Sequence, residues 1–198
     1  MKGITENLRI CSACLLTALA FSCNFPITKK EELIDYINAP SNGLVKTKQV
    51  GKISVTLTYA PWELIAAKQG FTQMESAKKR QFKDKWFFIL RLSANDRELL
   101  RQLEYSQYSE LVQVLSFRMD QFILLTPSDG KPIEPESCQF QQTYGIAKAN
   151  SVLVVFNPGK IRASKTFIVR INEFGLNTGD LAYEFKVKDL DQIPSIEI

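Results

Sequence analysis

The clearest pattern in this sequence is an alternation of apolar and polar residues over positions 53–59, ISVTLTY. Every second side chain is apolar, which is typical of a β-strand with one face against a core and the other in water. Residues 43–48 come just before, and the turn at 49–51 suits a hairpin between the two segments. The pattern therefore predicts that two paired strands begin the folded body.

The spacing of apolar residues changes after Pro61. From residue 62 to about residue 83 the apolar side chains follow a helical stripe, with Gly70 as the expected place for a kink. Residues 86–94, WFFILRLSA, are apolar on both faces and are predicted to form a central strand. Residues 95–116 return to helical spacing. Helices are therefore expected between the early strands.

Strands dominate the second half of the sequence. Asp129 and Gly130, in the turn TPSDGKP, suit a tight hairpin between neighbouring strands. The predicted strands are 117–125, 137–144, 151–156, 166–172 and 181–188. Together the patterns predict an α+β fold that is mainly β. We expect an antiparallel β-sandwich or open barrel of about eight strands, with two or three helices inserted between the first strands.

The N-terminus has the pattern of a secretory signal peptide. Lys2 and Arg9 precede an uncharged apolar run, residues 10–22. The run is shorter than the roughly 20 residues that a membrane-spanning helix needs. Residues 1–22 are therefore predicted to be removed.

The residues next to Cys23 are informative about its chemistry. Residues 19–22, LAFS, followed by Cys23, resemble the lipobox of bacterial lipoproteins. This resemblance implies cleavage before Cys23 and attachment of a diacylglycerol to its sulfur. An ordinary secretory peptide with Cys23 in a disulfide is the alternative. We expect a lipidated cysteine and tether over 23–42, with a short helical piece around 31–37, and a single β-rich globular domain over 43–198.

Composition excludes several classes of function. The chain has a net charge of +4, which becomes +3 when Lys2, Glu6 and Arg9 leave with the signal peptide. This mild charge disfavours a nucleic-acid partner. The chain has no histidine, so histidine-based triads and HExxH zinc sites are excluded. We predict no catalytic residue, no cofactor and no metal.

Four other features suggest a metal site or a reactive side chain, and each has a simpler structural explanation. The pairs Asp189/Asp191 and Glu134/Glu136 have the spacing for a cation on an extended chain, but exposed chain ends explain them as well. Ser164/Lys165 and Ser128/Lys131 are poor dyads, since adjacent strand residues point to opposite faces and the second pair lies in a turn. The CxxC of residues 11–14 lies in the segment predicted to be removed. Cys138 is expected to be a buried, small apolar residue.

Aromatic residues offer the remaining candidate for ligand binding. Tyr105 and Tyr108, among serines and glutamines, can form a stacking platform for a sugar or base, although an interhelical turn explains them too. Trp62 is a further stacking candidate, whereas Trp86 lies in the two-faced apolar strand and should be buried. The candidate ligand-binding residues are therefore Tyr105, Tyr108 and Trp62.

Three stretches of the chain resemble a group of uncharacterised Bacteroidetes outer-membrane lipoproteins. These are SNGLVKTKQVGKISVTLTYAPWELIAAK (41–68), FRMDQFILLTPSDGKPIEPESCQFQQTYGIAKANSVLVVF (117–156) and the closing KDLDQIP (188–194). The resemblance implies a lipid anchor in the outer membrane, on its periplasmic or surface face, and implies no activity. We expect a non-enzymatic binding or accessory component of a cell-envelope assembly, with an envelope protein as partner. A carbohydrate-binding β-sandwich is the alternative, and a histidine-free carboxylate hydrolase is a third.

Overall fold

The computed structural model describes residues 29–69 and 76–195. This part of the chain contains nine β-strands and five α-helices. The strands are β1 Val45–Val50, β2 Ile53–Ala60, β3 Trp86–Ala94, β4 Arg97–Glu98, β5 Ile123–Pro127, β6 Ser137–Gln141, β7 Asn150–Phe156, β8 Thr166–Ile171 and β9 Leu181–Lys186. The helices are α1 Lys30–Asn38, α2 Trp62–Lys68, α3 Ser76–Lys83, α4 Tyr105–Gln113 and α5 Val187–Asp191. No helix among the described residues is long and apolar enough to cross a membrane.

The strands form two antiparallel sheets. The larger sheet has the order β1-β2-β3-β7-β6, with the short β4 paired to β3, and the smaller has the order β5-β8-β9. The predicted hairpin at the start of the domain is confirmed, since Val45 pairs with Thr58 and Val50 with Ile53. The central position of β3 is also confirmed, because it pairs with β2 on one side and β7 on the other. The predicted α+β fold with antiparallel sheets is therefore correct.

The core lies between the two sheets and is rich in aromatic rings. Phe88 of β3 is fully buried and makes edge-to-face contacts with Phe185 at 5.4 Å and Phe167 at 6.1 Å, both from the smaller sheet. The hydroxyl of buried Tyr183 donates a hydrogen bond of 3.0 Å to the backbone oxygen of Val55 across the same interface. These contacts hold the sheets face to face.

The second face of the larger sheet carries a smaller apolar cluster. Ile65 of α2 packs with Phe87 and Leu153 of the sheet, and Phe82 of α3 stacks on Phe87 at 5.6 Å. The single helix predicted over 62–83 is present as α2 and α3, and the residues between 69 and 76 lie outside the described part. Because Phe87 and Phe88 point to opposite sides of one strand, both faces of β3 are covered.

Some predicted strand bounds differ from the structure, and the predicted hairpin is formed only in part. Residues 117–122, predicted as part of a strand, lie in helical turns (Val114–Arg118 and Met119–Phe122), and the strand begins at Ile123. Val114, Leu115 and Met119 are buried there at helical spacing. The turn at Asp129–Gly130 does fold the chain back, since Leu125 and Ile133 form an antiparallel bridge with backbone hydrogen bonds of 2.7 and 2.9 Å. The pairing stops after this bridge, because β5 and β6 belong to different sheets. At the end of the domain, residues 187–188 belong to α5.

The first helix is an integral part of the folded body. The sequence placed residues 23–42 in a tether with a short helical piece, but Leu33 and Ile37 of α1 are 0% and 3% exposed and belong to the main core. The physical reason is the spacing of these two residues by one helical turn, which gives α1 one apolar face. The described body therefore includes residues 30–42.

The loop between β8 and β9, residues 172–180, is closed by one carboxylate. Backbone N–H groups of residues 175–177 donate to Glu173 Oε1 at 2.6–2.9 Å. Gly179 N–H donates to Oε2 at 2.7 Å, and the Thr178 hydroxyl donates to the same oxygen at 3.2 Å. Burial by itself would raise the pKa of Glu173, but the four backbone donors outweigh it and the pKa lies below its ordinary value.

The substitution Glu173→Gln should make stability less dependent on pH. Because the folded-state pKa is lowered, the charged form contributes stability above the ordinary carboxyl pKa, and this contribution is lost as pH falls through the folded-state pKa. We expect a loss of about 1–2 kcal/mol in the free energy of unfolding at pH 7. The difference from wild type should shrink below about pH 4. Urea unfolding of the variant and of wild type at pH 7 and pH 3 measures the difference in the free energy of unfolding.

Glu184→Gln is the matched control for this variant, since Glu184 is an exposed carboxylate on the adjoining strand β9. It should change stability by less than about 0.5 kcal/mol at either pH. An equal loss for Glu173→Gln at pH 7 and pH 3 would contradict the role given to the charge.

Candidate functional site

The first candidate site is a cleft where residues 98–112 meet residues 140–150. It has a volume of about 440 Å³, within the range of small-molecule sites. Its walls come from the turn after β4, from the start of α4, and from the loop between β6 and β7. The lining residues are Glu98, Leu100, Arg101, Leu103, Tyr105, Tyr108, Val112, Phe140, Gln142, Thr143, Tyr144, Gly145 and Asn150.

Three tyrosines stand around the cleft. Tyr105 and Tyr108 are 85% and 42% exposed, and Tyr144 is 80% exposed. The structure thus brings the two sequence-predicted tyrosines to the same cleft, because they are three residues apart at the start of α4. Tyr144, which sequence reasoning did not single out, joins them from a distant loop. We refer to these three residues as the tyrosine cluster.

Arg101 fixes the turn that presents Tyr144. Its Nη1 donates to the backbone oxygen of Tyr144 at 3.2 Å, and Tyr144 has a positive φ of 50°. Gly145 follows with φ of 84°, and a Cβ on it would lie 2.6 Å from Arg101 Nη1. The positive φ favours glycine at this position, and a Cβ there would displace the guanidinium. The Tyr–Gly pair in the sequence was the only local signal of this turn.

Polar side chains form the base of the cleft. Glu98 and Asn150 are each 3% exposed. The Thr143 hydroxyl donates to Glu98 Oε1, and Asn150 Oδ1 accepts a 2.9 Å hydrogen bond from the backbone N–H of Leu100. These bonds hold a carboxylate and an amide in fixed positions below exposed aromatic rings. The arrangement suits the binding of a ligand with both apolar faces and hydroxyl groups.

The cleft has no pair of carboxylates for hydrolysis. Glu98 is the one acidic residue among the described lining residues, whereas glycoside hydrolysis in its common form uses two carboxyl groups. A second, smaller cavity of about 170 Å³ does contain both Glu63 and Asp191. Burial raises the pKa of Glu63, although a backbone hydrogen bond and the positive charges of Lys83 and Lys79 act in the opposite direction. Its volume is below that of typical ligand sites, so it gives the hydrolase hypothesis little support.

The tryptophans lie away from the tyrosine cluster. Trp62, the third predicted stacking residue, is half-buried at the start of α2, with the ammonium groups of Lys79 and Lys83 5.6 Å and 5.3 Å from its ring centre. Those cations occupy the approach to its ring. Trp86 is 3% exposed and packs on Phe167 at 4.7 Å, which confirms the expectation that it is buried.

The weaker sequence candidates are separated by the fold. Asp189 and Asp191 lie two residues apart on helix α5, so they point in different directions. Glu136 forms an ion pair with Lys85. No group of three His, Cys, Asp or Glu residues in the described part is arranged to hold a metal ion. These carboxylates therefore give no cation site within residues 29–69 and 76–195.

The serine and cysteine candidates have other roles. The Ser164 hydroxyl donates to Asp129 Oδ1 rather than to Lys165, which ties the loop after β5 to the start of β8. Cys138 is half-buried on β6, and burial, with the Asp120 carboxylate, raises its pKa to about 12. Its thiol is thus protonated at neutral pH and a poor nucleophile. Cys23 and the CxxC of residues 11–14 lie outside the described residues.

Comparison with known proteins adds little to this geometry. No family model and no curated protein matches the sequence. A solved structure of a novel protein of unknown function from Burkholderia pseudomallei K96243 superposes on 83% of this chain and 86% of that chain, with a TM-score of 0.44 and 8% identity. At that level of similarity it supports no conclusion about function.

Proposed function

We propose that this chain is a lipid-anchored, non-enzymatic binding protein of the cell envelope whose tyrosine cluster binds a carbohydrate. The observation that carries the proposal is the grouping of three exposed tyrosine rings above a cleft with a fixed polar base. Exposed aromatic side chains grouped in one place are typical of binding sites. Tyrosine also combines a flat apolar face with a hydroxyl group, which suits a sugar ring.

The polar base of the cleft supports the choice of a sugar. Glu98 accepts hydrogen bonds, whereas the amides of Gln142 and Asn150 can both donate and accept. A sugar has hydroxyl groups on its edge and C–H groups on its faces, so it can use the polar base and the tyrosine rings together. Arg101 allows an acidic sugar as well, because its guanidinium can pair with a sugar carboxylate and Glu98 is the one acidic residue among the described lining residues.

The lipid anchor is proposed from the sequence around Cys23. Helix α1 begins at Lys30, seven residues after Cys23. Seven extended residues span at most about 25 Å, so an acylated Cys23 would hold the domain close to the membrane surface. More than one acyl chain gives stable anchoring. Intact-mass analysis of protein from its own cells should find Cys23 as the first residue and carrying fatty acid; an unmodified residue 23 would sink this part of the proposal.

A glycan array, followed by titration calorimetry with the best ligand, tests the cleft. Tyr105→Ala and Tyr144→Ala should each weaken binding about 5–30-fold, as expected for the loss of 1–2 kcal/mol of ring stacking. Both residues are exposed, so the thermal unfolding midpoint should be unchanged. The matched control is Phe117→Ala, since Phe117 is an 81% exposed aromatic outside the cleft. Absence of any glycan ligand, or wild-type affinity in both tyrosine variants, would overturn the carbohydrate proposal.

A protein partner is the second candidate, and one residue favours it. Ile146 is 92% exposed and lies two positions after Tyr144. Exposed apolar side chains grouped in one place mark protein interaction sites. Ile146→Ser should abolish a crosslink to an envelope protein in native membranes without changing glycan affinity. A crosslink that persists in this variant would rule out docking through this loop.

A further inference from the structure

A second groove lies on the outer face of the larger sheet, the face turned away from the smaller sheet. Its floor comes from Thr58 and Ala60 of β2 and Ile89 of β3. Helix α1 forms one wall with Ile34 and Ile37, and helix α2 forms the other with Leu64 and Ile65. The groove has a volume of about 300 Å³, and its walls and most of its floor are apolar. It shares no residue with the tyrosine cleft.

The charged residues of this groove all have the same sign. Lys30, Lys68 and Arg91 line it, and no acidic residue is among its described lining residues. Lys68 Nζ donates to the Gln141 side chain at 3.2 Å, and none of the three cations forms an ion pair with a described residue. An apolar groove with three cations is complementary to a molecule that has an apolar chain and an anionic end.

One buried polar atom in the groove lacks a partner. The Thr58 side chain is 3% exposed, and its hydroxyl has no hydrogen-bond partner among the described residues. Buried hydroxyls are nearly always hydrogen-bonded, so a ligand atom is a reasonable partner. Thr58 pairs with Ile89 in the sheet, which makes Arg91 its diagonal neighbour on the same face. A donor hydroxyl and an arginine long enough to reach it are thus on the same face of the sheet, in the same groove.

We propose that this groove binds a single-chain carboxylate amphiphile, a free fatty acid. The carboxylate lies between the Arg91 guanidinium and the Thr58 hydroxyl, with Lys30 and Lys68 contributing to the positive potential. The hydrocarbon chain lies along Ala60, Leu64 and Ile65 between the two helices. The inference is independent of the carbohydrate proposal, because it concerns a different surface and a different ligand chemistry.

The test compares decanoate with decanol, which differ only in the head group, in binding titrations with purified protein. Decanoate should bind more tightly, and its affinity should fall as salt is raised. Arg91→Gln should weaken decanoate about tenfold and leave decanol within about twofold, because only the charged head uses the guanidinium. Ile34→Ser should weaken both ligands about threefold or more, because it removes apolar wall.

Matched controls exist on the smaller sheet. Arg170→Gln replaces an exposed arginine of β8, and Ile168→Ser replaces an isoleucine that is 36% exposed, the same fraction as Ile34. Neither should change decanoate affinity, and Tyr105→Ala in the other cleft should not change it either. Equal affinity for decanoate and decanol, no detectable decanoate binding, or wild-type decanoate affinity in Arg91→Gln would each overturn the proposal.

Discussion

Replacing Phe88 with alanine should lower the free energy of unfolding by about 3–5 kcal/mol, a large part of the 5–15 kcal/mol that holds a typical domain together. Phe88 has no exposed surface, and its ring contacts aromatic rings from both sheets. The centroid distances are 5.4 Å to Tyr59, 5.9 Å to Phe156, 6.1 Å to Phe167 and 5.4 Å to Phe185. Removing the ring leaves a cavity that rigid neighbours cannot fill.

Urea unfolding followed by tryptophan fluorescence measures this loss, since Trp86 is buried two residues from Phe88. Phe117→Ala serves as control, because it removes the same ring from a site that is 81% exposed, and it should cost less than about 1 kcal/mol. Similar losses in the two variants would mean that Phe88 does not join the sheets as described.

The strands that the sequence predicted correctly are those whose pattern is set locally. In β2 the alternation places Val55, Leu57 and Tyr59 on the core face. A shift of the strand by one residue would turn all three side chains to the opposite face, so the pattern allows one register. In β3 the continuous apolar run requires cover on both faces, which the smaller sheet and α2 with α3 provide. Both predictions follow from burial alone.

The errors of sequence reasoning lie where distant contacts decide the structure. The apolar residues of 117–122 fit a strand or a helix, and burial of Met119 beside Val114 and Leu115 selects the helical form. The turn at Asp129–Gly130 folds the chain back as far as the bridge between Leu125 and Ile133, but the next strand, β6, then joins the other sheet. That change of sheet is fixed by pairing of β5 with β8, about 40 residues later in the chain.

The candidate cleft also combines residues that a local pattern places together with one that a distant contact places. Tyr105 and Tyr108 could be chosen from the sequence because one helical turn places them together. Tyr144 could not, since its position depends on the hydrogen bond from Arg101, a residue 43 positions away. The groove between α1 and α2 was not expected at all, because the sequence placed α1 in a tether rather than against the sheet.

Replacing Leu33 with alanine should therefore cost about 2–5 kcal/mol in the free energy of unfolding, the usual range for a fully buried leucine. The same substitution in a solvent-exposed tether would leave the free energy of unfolding almost unchanged. Leu33 has no exposed surface, and Tyr36 on the same helix donates through its hydroxyl to the backbone oxygen of Gln192 at 3.2 Å. Helix α1 thus joins the start of the domain to its end. Chemical unfolding of the full-length protein measures the loss.

The neighbouring residue supplies the control on the same helix. Ile34 is 36% exposed, and Ile34→Ala should cost less than about 1 kcal/mol while changing helix propensity in the same direction as Leu33→Ala. A large difference between the two variants can then come only from packing of α1 on the core. If both variants unfold at the wild-type urea midpoint, α1 does not unfold together with the rest of the domain. The groove between α1 and α2 would then lack the wall that α1 provides.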